Sequence, residues 1–245
     1  MMRNTLDTKQ IHQKNYYNVR ADVYDTYHKR ENANHLYKIE EIAKCLFLNL
    51  RNSSGKWDFM ELGGGTGIHA YHFLASHRDK IRKFVFTDLS ERMIERAKTR
   101  LQKFSDIVEY IVMPGECFAT DSMFDGIYIS GAMHHFSDPC RALKEIRKHL
   151  KPGGSAVICE PVVWNPVNFV RALIKKEDWG QFYVTRRNIR RFLKEFGYNI
   201  VIDRVLHFKT DNPILSRLWH YKVFERIELM SPLAVMFLFC ATRNT

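Results

Sequence analysis

Cysteine is scarce in this chain of 245 residues, and the five present, at 45, 117, 140, 159 and 240, are scattered, odd in number and never spaced as C-x-x-C. Neither a disulfide framework nor a zinc knuckle is suggested, and reduced thiols are expected. Long hydrophobic runs are also missing: LAVMFLFC at 233 to 240 is far short of the ~20 apolar residues of a membrane-spanning helix. The start, MMRNTLDTKQIHQKNYYN, has no apolar segment and no small-residue cleavage site of a secretory signal. A soluble, cytoplasmic protein is therefore expected. Repeats and low-complexity linkers are absent too. Acidic residues are outnumbered, 27 against 38 Lys and Arg, giving a formal charge of +11. That excess invites an anionic partner such as RNA, a phosphorylated metabolite or a membrane surface. The charge is spread, however, over Lys80, Arg82 and Lys83, then Arg141, Lys144, Arg147 and Lys148, then Arg186, Arg187, Arg190 and Arg191, and on helices such groups read as solvated faces.

What is present suits one α/β domain, since a hydrophobic content of 45% can fill a core at this length. Leu36, Ile39, Ala43, Leu46 and Leu50 recur at spacings of three and four, which predicts a helix over 34–50. WDFMEL (57–62) then reads as a strand entering a run of glycines, with a helix from His69 to Ser76 beyond them. The unit repeats: KFVFTDLS (83–90) is a strand, and 90–104 a helix that Ser90 caps. VEYIVM (108–113), FDGIYISGAM (124–133) and SAVICEP (155–161) are further strands, and Asp138-Pro139 opens a helix that KPGG stops. Helices at 164–176 and 185–196, a strand at 199–208, a helix near 213–229 and a last strand near 234–242 complete the pattern. Alternating β and α elements predict a mostly parallel sheet covered on both faces.

The stretch DFMELGGGTGIHA, 58 to 70, carries the chemistry. A glycine-rich turn after the first strand of such a sheet lies where ligands bind. From Gly63 the chain reads G-G-G-T-G-I, which puts isoleucine where a dinucleotide fingerprint needs its last glycine, and no G-K-[ST] follows at phosphate-loop spacing. What remains is Glu61-x-Gly63-x-Gly65-x-Gly67, and this resembles the first motif of the class I S-adenosylmethionine-dependent methyltransferases, of the small-molecule type with a methyltransferase-11-like domain. DLSERMIERA is similar to the family's second motif, Gly115-Glu116-Cys117 stands where the family usually shows Gly-Asp-Ala, and 124–154 resembles its long fourth-strand signature. The matches span about residues 58 to 160 in order.

The resemblance implies a Rossmann-like, seven-stranded, mostly parallel doubly wound sheet with an antiparallel last strand, plus N-terminal helices and a small helical cap. It divides the chain into a lead-in (1–56), a cofactor-binding core (57–161), an acceptor cap (162–198) and closing elements (199–245). It also implies S-adenosyl-L-methionine as cofactor. Glu61, Gly63, Gly65 and Gly67 then face its amino acid end, and Asp88 the ribose. Met93 falls to the adenine, with Leu89, Gly115, Glu116, Cys117 and Ser130 completing the site. KNYYNVRADVYDTYH resembles the aromatic lead-in that closes over the cofactor, with Tyr17 and Tyr24 as contacts.

Methyl transfer from a sulfonium is an in-line displacement in which holding the acceptor at near-attack distance supplies much of the rate. Where the acceptor loses a proton, a histidine base suits neutral pH. His134 and His135 follow the fourth strand; neighbours near a strand end tend to point to opposite sides, so one of them, with His135 favoured, is expected to face the acceptor. Glu160 and Trp164 are expected to line the acceptor pocket, and Trp164 reads equally as a core anchor. No metal is expected. The acceptor is expected to be a small molecule, glycan or lipid precursor. An RNA-modifying enzyme is the alternative, although Ser130-Gly131-Ala132-Met133 lacks the [N/D]-P-P-[Y/F] of exocyclic-amine methylation. A non-catalytic S-adenosylmethionine-binding partner is another. Peripheral membrane contact through the aromatic and basic residues of 213–243 is the most that the pattern suggests of a bilayer.

Overall fold

The computed structural model describes residues 6–28, 32–50, 55–207 and 234–243. Seven strands form one sheet: β1 (Trp57–Leu62), β2 (Ile81–Asp88), β3 (Val108–Val112), β4 (Phe124–Ser130), β5 (Leu150–Pro161), β6 (Tyr198–His207) and β7 (Ala234–Arg243). Their order is β3-β2-β1-β4-β5-β7-β6. The first five run parallel, and β7 is antiparallel to both neighbours, as expected. The helix read at 213–229 lies outside the described residues.

Alternation along the strands builds two cores. Met60, Val85, Ile127, Ile129, Ala156, Ile158, Phe237 and Phe239 point to one face, where Leu143 and Ile146 of α5 (Pro139–His149) and Ile189 and Leu193 of α7 (Arg186–Glu195) cover them. Phe59, Phe84, Phe86, Tyr128, Val157 and Cys159 point to the other. There they meet α2 (Asn32–Leu46), α3 (Ile68–His77) and α4 (Glu91–Arg100). The central strands are buried on both sides, so they carry apolar runs rather than an apolar/polar alternation. Helix α3 follows β1 onto one face and α5 follows β4 onto the other, so the sheet's switch point lies between β1 and β4. Ligands of open α/β sheets bind outside the strand ends at that point.

Local signals set most boundaries. Ser90 accepts from the Met93 N–H at 3.1 Å to start α4, and Asp138 accepts from the Arg141 N–H ahead of Pro139 to start α5. Several expectations shift. Helix α2 stops at Leu46 rather than running to Leu50, and Leu36 is 41% exposed while Ile39, Ile42, Ala43 and Leu46 form the buried stripe. Strand β4 ends at Ser130, not Met133, and β5 takes in the KPGG run expected to lie outside it. Arg186 and Arg190, expected on a solvated face, both pair with Asp203 of β6.

Two further helices frame the carboxyl end of the sheet: α1 (Thr8–His28) and α6 (Pro166–Ile174), the latter followed by a 3-10 segment over Lys176–Phe182. Replacing Asp138 by Ala removes the α5 cap, and a loss of about 1 kcal/mol is expected, read as a Tm lower by about 2–4 °C in thermal unfolding.

Candidate active site

The chain leaves β1 through Gly63, Gly65 and Gly67, with φ of +66°, +59° and +80°, a region that side chains disfavour. A Cβ on Gly63 would lie 2.6 Å from the Ala132 Cβ, so this loop packs directly on the turn after β4. The Gly64 N–H donates to the Thr87 carbonyl, and the Gly65 N–H donates to Asp88 Oδ2 at 2.8 Å. Asp88 Oδ1 accepts from the Ser90 N–H at 2.9 Å. Burial pushes the Asp88 carboxyl up to about 6, against the opposing pull of these N–H groups. Glu61, near the end of β1, is 1% exposed, and its Oε2 has no hydrogen-bond partner. Burial pushes Glu61 up to about 8, with Tyr128 opposing and Asp88 adding to the rise.

Across the switch point, Met133–His135 form a 3-10 turn. Such a turn rotates successive residues by about 120° rather than the 180° of a strand. The histidines therefore do not point to opposite sides as expected: their ring centroids are 3.9 Å apart. His134 Nδ1 lies 2.6 Å from Glu160 Oε2, and its Nε2 lies 3.7 Å from Asp178 Oδ1. Glu160 is fully buried, and its Oε1 accepts from the Ala132 and Met133 N–H groups at 2.9 and 2.8 Å. Asp178 Oδ2 accepts from Arg171 Nε at 2.7 Å. Burial alone would lower the His134 imidazole, but Glu160 and Asp178 reverse this and hold it above its ordinary value. Burial works against the Asp178 carboxylate too, yet His134 and Arg171 keep it well below the usual range.

His135 is in the opposite state. Its Nδ1 lies 3.0 Å from the Glu177 carbonyl and its Nε2 lies 2.7 Å from the Tyr17 hydroxyl. A carbonyl only accepts, so Nδ1 carries the hydrogen and Nε2 accepts from Tyr17. Burial and the neighbouring His134 charge push this ring well below its ordinary value. His134, His135 and Asp178 each bring one donor atom within 4.8 Å of the others. Within this cluster Asp178 is paired with Arg171, and His134 is paired with Glu160.

Helix α1 lies over this end of the sheet. Asp25 accepts from the Thr66 hydroxyl at 2.7 Å and pairs with Arg100, Asp22 pairs with Arg92 and Arg96, and the Ser90 hydroxyl donates to Asn18. Tyr24 reaches over Gly65, with a ring carbon 3.9 Å from where a Cβ would stand. Met93 is buried yet outside both apolar cores, and Leu89 is half-buried beside Asp88. Gly115 is packed under Phe136. The Glu116 carboxylate accepts from the Ser137 and Asp138 N–H groups, which spends one oxygen on the entry to α5. Cys117 is half-buried, with its thiol pushed up by burial, and the buried Ser130 hydroxyl has no partner.

A cavity of about 300 Å³ opens beside His134, lined by Lys9, Phe136, Asp138, Gly180 and Tyr183 among others. Trp164 is absent from its lining and is 56% exposed, so it anchors no core. A larger hollow of about 450 Å³, near Asn49, Asp125 and Gly153, touches none of the candidate residues. Asp178, Arg171, Gly180 and Lys9 escaped the sequence reading because no motif or periodicity marks them.

Residues 60–158 match the family model described as a methyltransferase domain. The lovastatin nonaketide synthase mokA of Monascus pilosus is 31% identical over 108 residues, which is 42% of this chain and 4% of that protein. The ubiquinone/menaquinone biosynthesis C-methyltransferase UbiE of Francisella philomiragia is 33% identical over 104 residues, 41% of each chain. This chain therefore spans less than half the length of either curated relative. Among solved structures, the N-methyltransferase NodS of Bradyrhizobium japonicum, in complex with S-adenosyl-l-homocysteine, superposes with a TM-score of 0.59 at 16% identity, covering 85% of this chain and 87% of that one. That likeness is one of fold.

Glu61 generates a pH prediction. Its folded value, about 8, lies above the ordinary 4.5, so the native state holds the proton more tightly than the unfolded chain. The favourable contribution is complete below about 4.5 and is lost as pH rises through 8. Glu61→Gln keeps the shape and removes this dependence. Its urea midpoint is expected to fall less than that of the wild type between pH 5 and 8.

Proposed function

We propose, from a chain that carries a methyltransferase domain over residues 60–158, that the protein is an S-adenosylmethionine-dependent methyltransferase acting on a small-molecule, glycan or lipid-precursor acceptor. The cofactor's demands fit the groups at the switch point. Its ammonium meets the orphaned Glu61 Oε2. Its ribose hydroxyls meet the half-buried Asp88, and its amino acid end runs along the backbone that Gly63 and Gly65 leave open. Leu89 and Met93 flank the adenine, and Glu116 offers it the carboxylate oxygen that the 137–138 turn does not use. Cys117 and Ser130 border the same cleft, and Tyr17 and Tyr24 of α1 close it against water. S-adenosylmethionine supplies, when bound, an electrophilic methyl group on a sulfonium leaving group.

The observation that carries the catalytic reading is the buried His134–Glu160 pair at 2.6 Å. Glu160 fixes the hydrogen on Nδ1 and leaves Nε2 as the atom that takes the acceptor's proton. The same carboxylate stabilises the imidazolium that results, as an orienting acid does beside any histidine base. His135, favoured by the sequence, instead has both nitrogens committed, to Glu177 and Tyr17. It serves as a wall and as the anchor of α1. A base at Nε2 suits an acceptor that loses a proton, whether a carbon acid, a hydroxyl or a protonated amine. By name, UbiE is a C-methyltransferase and NodS an N-methyltransferase; both acceptor atoms suit this base.

Thermal unfolding with S-adenosylhomocysteine tests the cofactor, with NAD as comparison. Ligand at 100 times its Kd stabilises by about 2.7 kcal/mol, a rise of about 5–10 °C at roughly 2–4 °C per kcal/mol. The rise is expected to vanish in Asp88→Ala and to be absent with NAD. In a transfer assay, His134→Gln is expected to lose about 100-fold or more in kcat while the homocysteine nucleoside still binds. A His134→Gln protein with full activity would remove the base from this reading.

A further inference from the structure

The cap is keyed onto the histidine turn at three points. The Glu177 carbonyl accepts from His135 Nδ1. Gly180 comes so close that a Cβ there would fall 1.7 Å from the His134 carbonyl oxygen. Asp178, between them, is 2% exposed and turns Oδ1 toward His134 Nε2 at 3.7 Å while Arg171 of α6 holds Oδ2. The side chain that faces the reactive nitrogen is thus a carboxylate brought in by the cap. It stands where an acceptor's proton has to be delivered.

We propose that Asp178 is a positioning residue for the transfer, a latch that occupies the Nε2 side of His134 while the cap is closed and yields that place to the acceptor. This rests on the reading of His134 as the base. In the closed form His134 keeps hydrogens on both nitrogens, one toward Glu160 and one toward Asp178. When the acceptor enters and Asp178 withdraws with Arg171, the imidazolium loses one of its two carboxylates. It then releases the Nε2 proton to water through the cavity lined by Lys9 and Tyr183. The neutral ring takes the acceptor's proton as the new bond to methyl forms and the bond to sulfur breaks. Glu160 stays throughout, held by two backbone N–H groups. The charged and titratable groups around His134 are Glu160 from β5, Asp178 from the 3-10 segment, Arg171 from α6, His135 from its own turn, Tyr17 from α1 through His135, and, across the cavity, Lys9 of α1, Asp138 and Tyr183. Only Asp178 and Arg171 move with the cap.

The test uses the cofactor-free full chain and needs no acceptor. Histidine NMR titrations follow His134, identified by the signal missing in His134→Gln, and hydrogen exchange follows the peptide over 176–182. Removing an opposite charge at this range lowers a histidine titration by about 1–3 pH units. That fall is expected in Asp178→Asn, with Asp178→Glu restoring the wild-type midpoint. Exchange at 176–182, corrected for intrinsic rates, is expected to rise in the wild type as pH passes the His134 midpoint, about tenfold per pH unit of linked titration. In Asp178→Asn it should be fast and independent of pH. An unchanged His134 midpoint in Asp178→Asn, or exchange at 176–182 indifferent to both pH and the substitution, overturns the latch. A wild type that S-adenosylhomocysteine fails to stabilise overturns the functional reading instead, and the titration and exchange results still decide whether Asp178 is a latch.

Discussion

One buried carboxylate organises the site. Glu160 is the penultimate residue of a strand whose pairing with β4, Ser130 opposite Cys159, puts it beside the turn that carries the histidines. A carboxylate removed from water costs several kcal/mol unless its oxygens are met. Here they are met by two backbone N–H groups and one imidazole. The bond network runs both ways: without Glu160, the Ala132 and Met133 N–H groups lose their acceptors and the 3-10 turn loses its reason to form. That turn puts both rings on one side and packs Ala132 against Gly63, so the carboxylate also sets how closely the glycine loop approaches.

Over this rigid floor lie two covers held in a different way. The sheet and its flanking helices rest on two continuous apolar cores, whereas α1 is attached mainly by side-chain polar contacts: Asp22 and Asp25 to the arginines of α4, Thr66 to Asp25, Lys14 to Glu91, Tyr17 to His135. Partly exposed ion pairs contribute little each, about 0–1 kcal/mol, so such a helix opens at far lower cost than a core element. Residues 176–182 meet the histidine turn through Asp178 and the close approach of Gly180. Both covers thus rest on polar contacts that salt and pH can loosen, whereas Glu61 and Asp88 are carried on strands of the packed sheet.

Much of this architecture was legible beforehand. The apolar runs of β2, β4 and β7, the cap residues Ser90 and Asp138, and the glycines after β1 each state a local preference that the tertiary structure leaves intact. The misses share a cause. The run FDGIYISGAM continues to Met133, past the point where Glu160 captures the backbone and β4 ends, and Leu36 keeps the spacing of a stripe whose centre lies at Ile42. The two histidine rings lie together for the same reason: a carboxylate distant in the chain holds a turn where strand geometry would set them apart.

By itself, then, the sequence determined the strand order's raw material, the glycine loop with its positive φ values, the acid ending each of the first two strands, and the presence of two histidines at the switch point. These are properties of residues close in the chain, where backbone sterics and side-chain period decide the outcome. The tertiary structure decided which histidine is gripped by Glu160, which one is tied to Tyr17, and that Asp178 with Arg171 closes over the first. Such pairings join residues carried on β5, α1 and the cap, and no local pattern encodes them; they are set by where packing and topology bring each element to rest.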